Sequence, residues 1–168
     1  MIDSAQKNST ISWLQNKLHK REHGIVFNHV GFSCFNLIQD FVEANDHRFK
    51  TPAIYYEAIP QESATEFIAT LKEEIIAKVG HPYLNLDTPL SEIVANTGLK
   101  MVIIDRSHLH SLRTLNELLE SFVACNVCLL LVGSHRKLKI AQFLSHPEVS
   151  QWSRLTIERE TKSLPKTC

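Results

Sequence analysis

Three stretches of this chain place chemically capable side chains where a fold could use them. Asp105 closes the apolar run Met101-Val102-Ile103-Ile104 and is followed by Arg106-Ser107-His108. An acid at the end of a buried strand stands at the rim of a sheet, where it can ligate a metal or cap the turn that follows. Gly24-Ile25-Val26-Phe27 runs through Asn28, Gly31, Phe32, Ser33 and Cys34 into Phe35-Asn36-Leu37-Ile38, a strand–loop–helix pattern. Leu130-Leu131-Val132-Gly133-Ser134-His135 ends in a hydroxyl and an imidazole, and Arg136, Lys137 and Lys139 follow. Those cations could touch nucleic-acid phosphates, although a run of charge also reads as a solvated face.

Other pairings are weaker. Cys125-Asn126-Val127-Cys128 has zinc or redox spacing, but no second pair completes a four-ligand site. The adjoining Val127-Cys128-Leu129-Leu130-Leu131-Val132 reads as a buried strand, where free cysteine behaves as a small hydrophobe. The chain has nine histidines. His108, His110 and His135 fall near strand ends, yet no tight histidine pair on a helix supports a metal site, and none is expected. Ser107-His108 and Ser134-His135 lack the strand–GxSxG–helix elbow of a serine nucleophile.

The elements that must position these residues follow from periodicity. Ile11, Leu14 and Leu18 predict a leading helix over 11–20, with Trp13 beside it. Short strands are expected at Ile25–Phe27, Pro52–Ala58, Met101–Asp105, Val127–Val132 and Leu155–Ile157. Helices are expected at Phe35–Ala44, from the Ser63/Glu66 capping pair through Ile76, at Leu90–Ala95, Leu112–Phe122 and Lys137–Leu144. Strands and helices alternate, and the strands are near-continuous apolar runs. That pattern suits a parallel sheet covered on both faces, an α/β three-layer fold. With 168 residues, 43% hydrophobic and 21% charged, the chain reads as one domain, its α/β core spanning 24–158 and a polar tail 159–168. Eighteen basic residues balance 18 acidic ones, so no global field draws the protein to nucleic acid. The longest apolar run is too short for a membrane span, and the first twenty residues lack a signal core; a cytoplasmic location is expected.

Taken together, the three stretches resemble the AAA+ branch of P-loop ATPases, and more narrowly the TniB-like regulators of transposition and the ExeA-type ATPases. Met101–Leu109 is similar to a Walker B strand and the turn after it, and Leu130–His135 to the sensor-1 strand. Pro147–Leu155 resembles the segment leading to the family's arginine-bearing final strand, with Arg154 near that position. The resemblance covers roughly Leu14 to Ile157. It implies a five-stranded, mainly parallel sheet in the order 5-1-4-3-2. The helical lid is expected to be absent.

The pattern fails at the chemistry. A Walker A loop needs glycines whose amides cradle phosphate, a lysine to neutralise it and a hydroxyl for magnesium. Here Asn28 and Ser33 stand at the glycine positions, Cys34 at the lysine and Phe35 at the hydroxyl; Gly31 keeps some loop flexibility. Asp105 remains, but Arg106 replaces the glutamate that would polarise water, and a cation cannot act as general base. The expectation is a non-catalytic, pseudo-ATPase module with no cofactor and no small-molecule substrate. It would act through a protein partner or self-association, with DNA contact through a local basic patch. Phe32, Arg106 and Arg154 are the candidate interface residues. A nucleotide-binding ATPase of altered chemistry and a regulatory scaffold unrelated to DNA stand as alternatives. Trp13, Trp152 and Phe32 could form a partner surface, with Trp13 and Trp152 reading rather as core edges.

Overall fold

The computed structural model describes residues 4–28, 34–134 and 144–157. Its described helices and strands run in the order α1 (Ser4–Lys20), β1 (Gly24–Asn28), α2 (Phe35–Asn45), β2 (Ala53–Glu57), α3 (Ala64–Val79), α4 (Leu90–Thr97), β3 (Met101–Asp105), α5 (Leu112–Ala124), β4 (Cys128–Ser134) and β5 (Ser153–Ile157). The strands form one sheet in the order β2-β3-β4-β1-β5, and all four neighbouring pairs are parallel. This is the expected order read from the other edge. Ile103 and Leu130 are opposite each other in the adjacent strands β3 and β4 and fully buried.

Strand residues alternate between two apolar layers, as the two-residue period of a strand requires. Ile25, Phe27, Tyr56, Val102, Ile104, Leu129 and Leu131 pack on α3, α4 and α5 through Phe67, Leu71, Ile93, Leu118 and Phe122. Val26, Ala53, Met101, Ile103, Cys128, Leu130 and Val132 pack on α1 and α2 through Leu14, Leu18, Ile38 and Phe41. Both faces are therefore covered, which is why the strands read as unbroken apolar runs.

Local chemistry sets the boundaries. The Ser63 Oγ accepts from the Glu66 amide at 3.2 Å while Glu66 Oε2 accepts from the Ser63 amide at 2.8 Å, a reciprocal cap at the start of α3. Gly80 ends that helix in the left-handed region at φ 61°. Gly24 is required by close approach: a Cβ there would lie 2.7 Å from the Trp13 ring.

Three expectations need correction. The first helix begins at Ser4 instead of Ile11 and is part of the core, because Leu14 and Leu18 pack on α2 and the sheet. Its first turns are polar and carry no apolar stripe to announce them. β4 runs on to Ser134, and β5 starts at Ser153. Short 3-10 turns at Ser107–Leu109 and Val149–Gln151 were not legible in the periodicity. The expected helix at 137–144 lies almost wholly outside the described residues. No described helix is long and apolar enough to cross a membrane.

Candidate functional site

In a parallel sheet the strands all end on the same side, so side chains from several of them converge there. Asn28 of β1 is in register with Ser134 of β4, and Glu57 of β2 with Asp105 of β3. Strand parity puts Asn28, Asp105 and Ser134 on the face covered by α1 and α2. The start of α2 brings Cys34 and Phe35 to the same rim. The structure thus gathers Asn28, Cys34, Phe35, Asp105, Arg106 and Ser134 at one end of the sheet. Gly31, Phe32 and Ser33, like Arg136, Lys137 and Lys139, lie outside the described residues.

The carboxylate at the centre is engaged from within. Tyr55 on β2 donates its hydroxyl to Asp105 Oδ2 at 2.7 Å. The Arg106 backbone N–H donates to Asp105 Oδ1 at 2.7 Å. Asp105 is buried, so these two bonds offset much of the cost of holding a carboxylate away from water. Burial, followed by the bond to Asp105, pushes the Tyr55 hydroxyl well above the usual phenol range, so it stays a donor. The Phe35 ring packs edge-on against the Tyr55 ring, centroids 5.2 Å apart, and is 40% exposed.

Cys34 caps α2 through its backbone only: its carbonyl accepts from the Ile38 N–H, and its side chain makes no capping bond. Burial pushes its thiol up to about 12, and the Asp105 charge adds to the shift. A neutral, buried thiol therefore stands at the start of α2, the position the resemblance expected to match a phosphate-binding lysine. Arg106 adopts a left-handed backbone at φ 50° and directs its guanidinium to Glu57, Nη1 to Oε1 2.9 Å, with both side chains largely exposed. The Arg106 charge is therefore held over β2.

A magnesium nucleotide, which the P-loop class implies, does not fit these residues. Among the described residues at this rim, the Asp105 carboxylate is already satisfied by a phenol and an amide, Phe35 offers an aromatic ring with no metal-binding oxygen, and Cys34 a buried neutral thiol with no charge for phosphate.

Most of the remaining sequence candidates among the described residues have packing roles. His110 is fully buried on the opposite face, with its Nε2 3.3 Å from Glu62 Oε2 and its ring edge-on to Phe67. Burial lowers its pKa, and the neighbouring Glu62 opposes that shift. No group of three histidine, cysteine or acidic side chains converges among the described residues. Cys125 packs on the α3–α5 layer and Cys128 on the α1–α2 layer, so the sheet separates the two thiols of the Cys-x-x-Cys pair. Burial pushes the Cys128 thiol up to about 12. Trp13 packs against Gly24, and Trp152 stacks on His23 with centroids 4.6 Å apart; both are core edges. Arg154 is exposed on β5 opposite Ile25, roughly 10 Å along the sheet from the Asn28–Ile157 pair at the rim.

Sequence reasoning missed Tyr55 and Glu57, having read Tyr-Tyr-Glu only as strand formers. The available signal was that a tyrosine on a strand beside β3, two residues before its end, can reach an acid at the end of β3.

No protein-family model and no curated sequence matches the chain. Among solved structures it is similar to a chain of Drosophila ORC bound to AT-rich DNA and Cdc6, with a TM-score of 0.66 and 9% identity. It is also similar to a chain of the GC-rich DNA complex, at 0.64 and 12%. Each match covers 92% of this chain and 29% of the other, so this chain spans under a third of their length. A structure of Pif1 helicases at forked double-stranded DNA matches with a TM-score of 0.54 at 12% identity, covering 95% of this chain and 45% of that one. At these identities the likeness establishes the fold alone: an AAA+-like, P-loop-type α/β core with a five-stranded parallel sheet.

Proposed function

We propose that this chain is a non-catalytic AAA+-like module, a pseudo-ATPase related to the TniB-like regulators, that works by protein assembly in DNA-associated machinery. The observation carrying this reading is Asp105, whose two oxygens are taken by the Tyr55 hydroxyl and the Arg106 amide. The residues at the lysine, hydroxyl and glutamate positions, Cys34, Phe35 and Arg106, agree with it. Phosphate neutralisation, metal ligation and water activation are separate tasks, and each lacks its residue. The structural neighbours, an origin recognition complex with DNA and Cdc6 and a helicase at forked DNA, support an assembly role near DNA.

In such assemblies one subunit offers its crevice and the next its arginine-bearing face. Here the first face would carry Phe35 and Arg106, and the second would lie near Arg154. The test is a titration of the purified chain with labelled ATP and magnesium, alongside a turnover assay. Neither saturable binding at millimolar nucleotide nor phosphate release above a protein-free blank is expected. Turnover that disappears in Asp105→Ala would overturn the reading. Cys34→Lys alone is expected to restore nothing, since Phe35 and Arg106 remain. Arg154→Glu is expected to weaken association with a copurified partner or a second copy while leaving the melting temperature nearly unchanged.

A further inference from the structure

At the opposite end of the sheet, the segments entering the strands are strongly basic. Arg21 precedes β1, Arg48 and Lys50 precede β2, and Lys100 precedes β3. They belong to one surface. The Lys50 stem lies beside Gly98, 3.8 Å from where a Cβ there would stand, two residues before Lys100. The Lys100 amide donates to the Pro52 carbonyl at 2.8 Å, and its own carbonyl accepts from the Cys128 amide at 2.8 Å. Arg21 closes the row on the β1 side, near enough to the Cys128 thiol to pull against the effect of burial there.

Two of the acids at this edge are already paired. Glu22 is paired with Lys17 at 2.6 Å, and Asp46 with Lys78 at 2.7 Å while also accepting from Thr51. Arg21, Arg48, Lys50 and Lys100 have no ion-pair partner among the described residues. A chain of zero formal charge therefore places four cations that make no ion pair among the described residues along one edge. From β2 to β1 that edge is about 14 Å wide, three strand spacings.

Phe49 adds a second, independent observation. His47 and Lys50 exchange two backbone hydrogen bonds around a tight turn, and Phe49 occupies its third position at φ 62°. That position suits glycine or asparagine, and a bulky side chain there is strained. The ring is nonetheless 46% exposed, with the Arg48 guanidinium 4.9 Å from its centroid. Strain that puts an aromatic face into water beside a row of cations is the arrangement used to stack a base while the backbone is neutralised.

We propose that this edge binds single-stranded nucleic acid, with Phe49 stacking a base and Arg21, Arg48, Lys50 and Lys100 contacting successive phosphates. The site is separate from the crevice, and it does not depend on the pseudo-ATPase reading.

The test is fluorescence anisotropy of the full chain with a labelled twenty-nucleotide oligo-dT across a salt series. Four neutralised phosphates predict a slope of log affinity against log salt near about −2.8 for a single strand. Lys50→Glu combined with Lys100→Glu should weaken binding at least about tenfold and roughly halve that slope. Phe49→Gly relieves the positive φ, so its melting temperature should hold or rise while affinity falls about fivefold or more. A duplex of the same length, whose bases are already stacked, should bind more weakly than the single strand. Absence of salt-dependent binding would overturn the proposal. So would full affinity in the double lysine variant, full affinity in Phe49→Gly, or loss confined to Arg136→Glu with Lys137→Glu.

Discussion

β2 carries two consecutive tyrosines, and strand parity sends them to opposite faces of the sheet. Each donates to a buried carboxylate. Tyr55 reaches Asp105 on the α1–α2 side, and Tyr56 reaches Glu62 at 2.5 Å on the α3–α5 side. The pairs differ in what surrounds them. Glu62 sits within the apolar layer, with His110 on its other oxygen and Phe67 packed against both partner rings. Asp105 sits at the rim, beside an exposed Phe35 and a solvent-facing Arg106–Glu57 pair. One chemical device thus serves two ends. In the core it satisfies a carboxylate that anchors the loop before α3 to the turn before α5. At the rim it occupies the acid that closes β3.

The sharpest way to break this comparison is to remove each acid in turn. Glu62→Ala leaves the His110 N–H without a partner and the Tyr56 hydroxyl with Thr70 alone, and should cost about 3–5 kcal/mol in denaturant unfolding. Asp105→Ala should cost less, about 1–3 kcal/mol, because water at the rim can reach the groups it leaves. Equal losses would show that the two sites are equally dry.

Acid titration separates the regions next. Burial lowers the pKa of His110 and also of His23, whose Nδ1 accepts from the Leu129 amide. A histidine with a depressed folded pKa stays neutral in the native state while the unfolded chain takes up a proton. Stability therefore falls as pH drops below about 6.5, by at most about 1.4 kcal/mol per pH unit for each histidine. His110→Gln should shallow the fall in melting temperature between pH 7 and pH 5; an unchanged slope would assign the whole effect to His23.

The smallest expected effect is that of Tyr55→Phe, about 0.5–1.5 kcal/mol, since only one bond is lost and Phe35 still has a ring to pack against. The same variant tests the rim directly. It frees Asp105 Oδ2, yet with Cys34, Phe35 and Arg106 in place it should still fail to release phosphate from ATP.

What the sequence disclosed and what it hid divide along the length scale of the interactions. Apolar periodicity located α2, α3, α5 and β3 closely, because burial on one or two faces is written locally in each segment. The order of the strands came through resemblance, since Met101–Asp105 and Leu130–Ser134 keep the spacing of P-loop strands. The first turns of α1 were invisible because Ser4–Ser9 carry no apolar stripe. Tyr55 was invisible as a partner of Asp105 because the bond spans fifty residues and depends on which strands are neighbours. The basic edge was hidden for the same reason: Arg21, Lys50 and Lys100 are scattered in sequence, and only the parallel sheet aligns the entries to β1, β2 and β3.

The position of β1 in the strand order has a further consequence for synthesis. Both of its neighbours, β4 and β5, come from the last third of the described chain. The His23 ring that receives the Leu129 amide precedes it by 106 positions. As the polypeptide leaves the ribosome, β2 and β3 can pair early, whereas Ile25, Val26 and Phe27 have no sheet partner until residue 128 and beyond have emerged. Completion of the sheet is therefore a late, long-range event, of the kind that slows folding and leaves apolar strand edges exposed to aggregation. Truncated nascent chains that stop before β4 should depend on chaperones, and release from that dependence should coincide with the appearance of Cys128–Ser134.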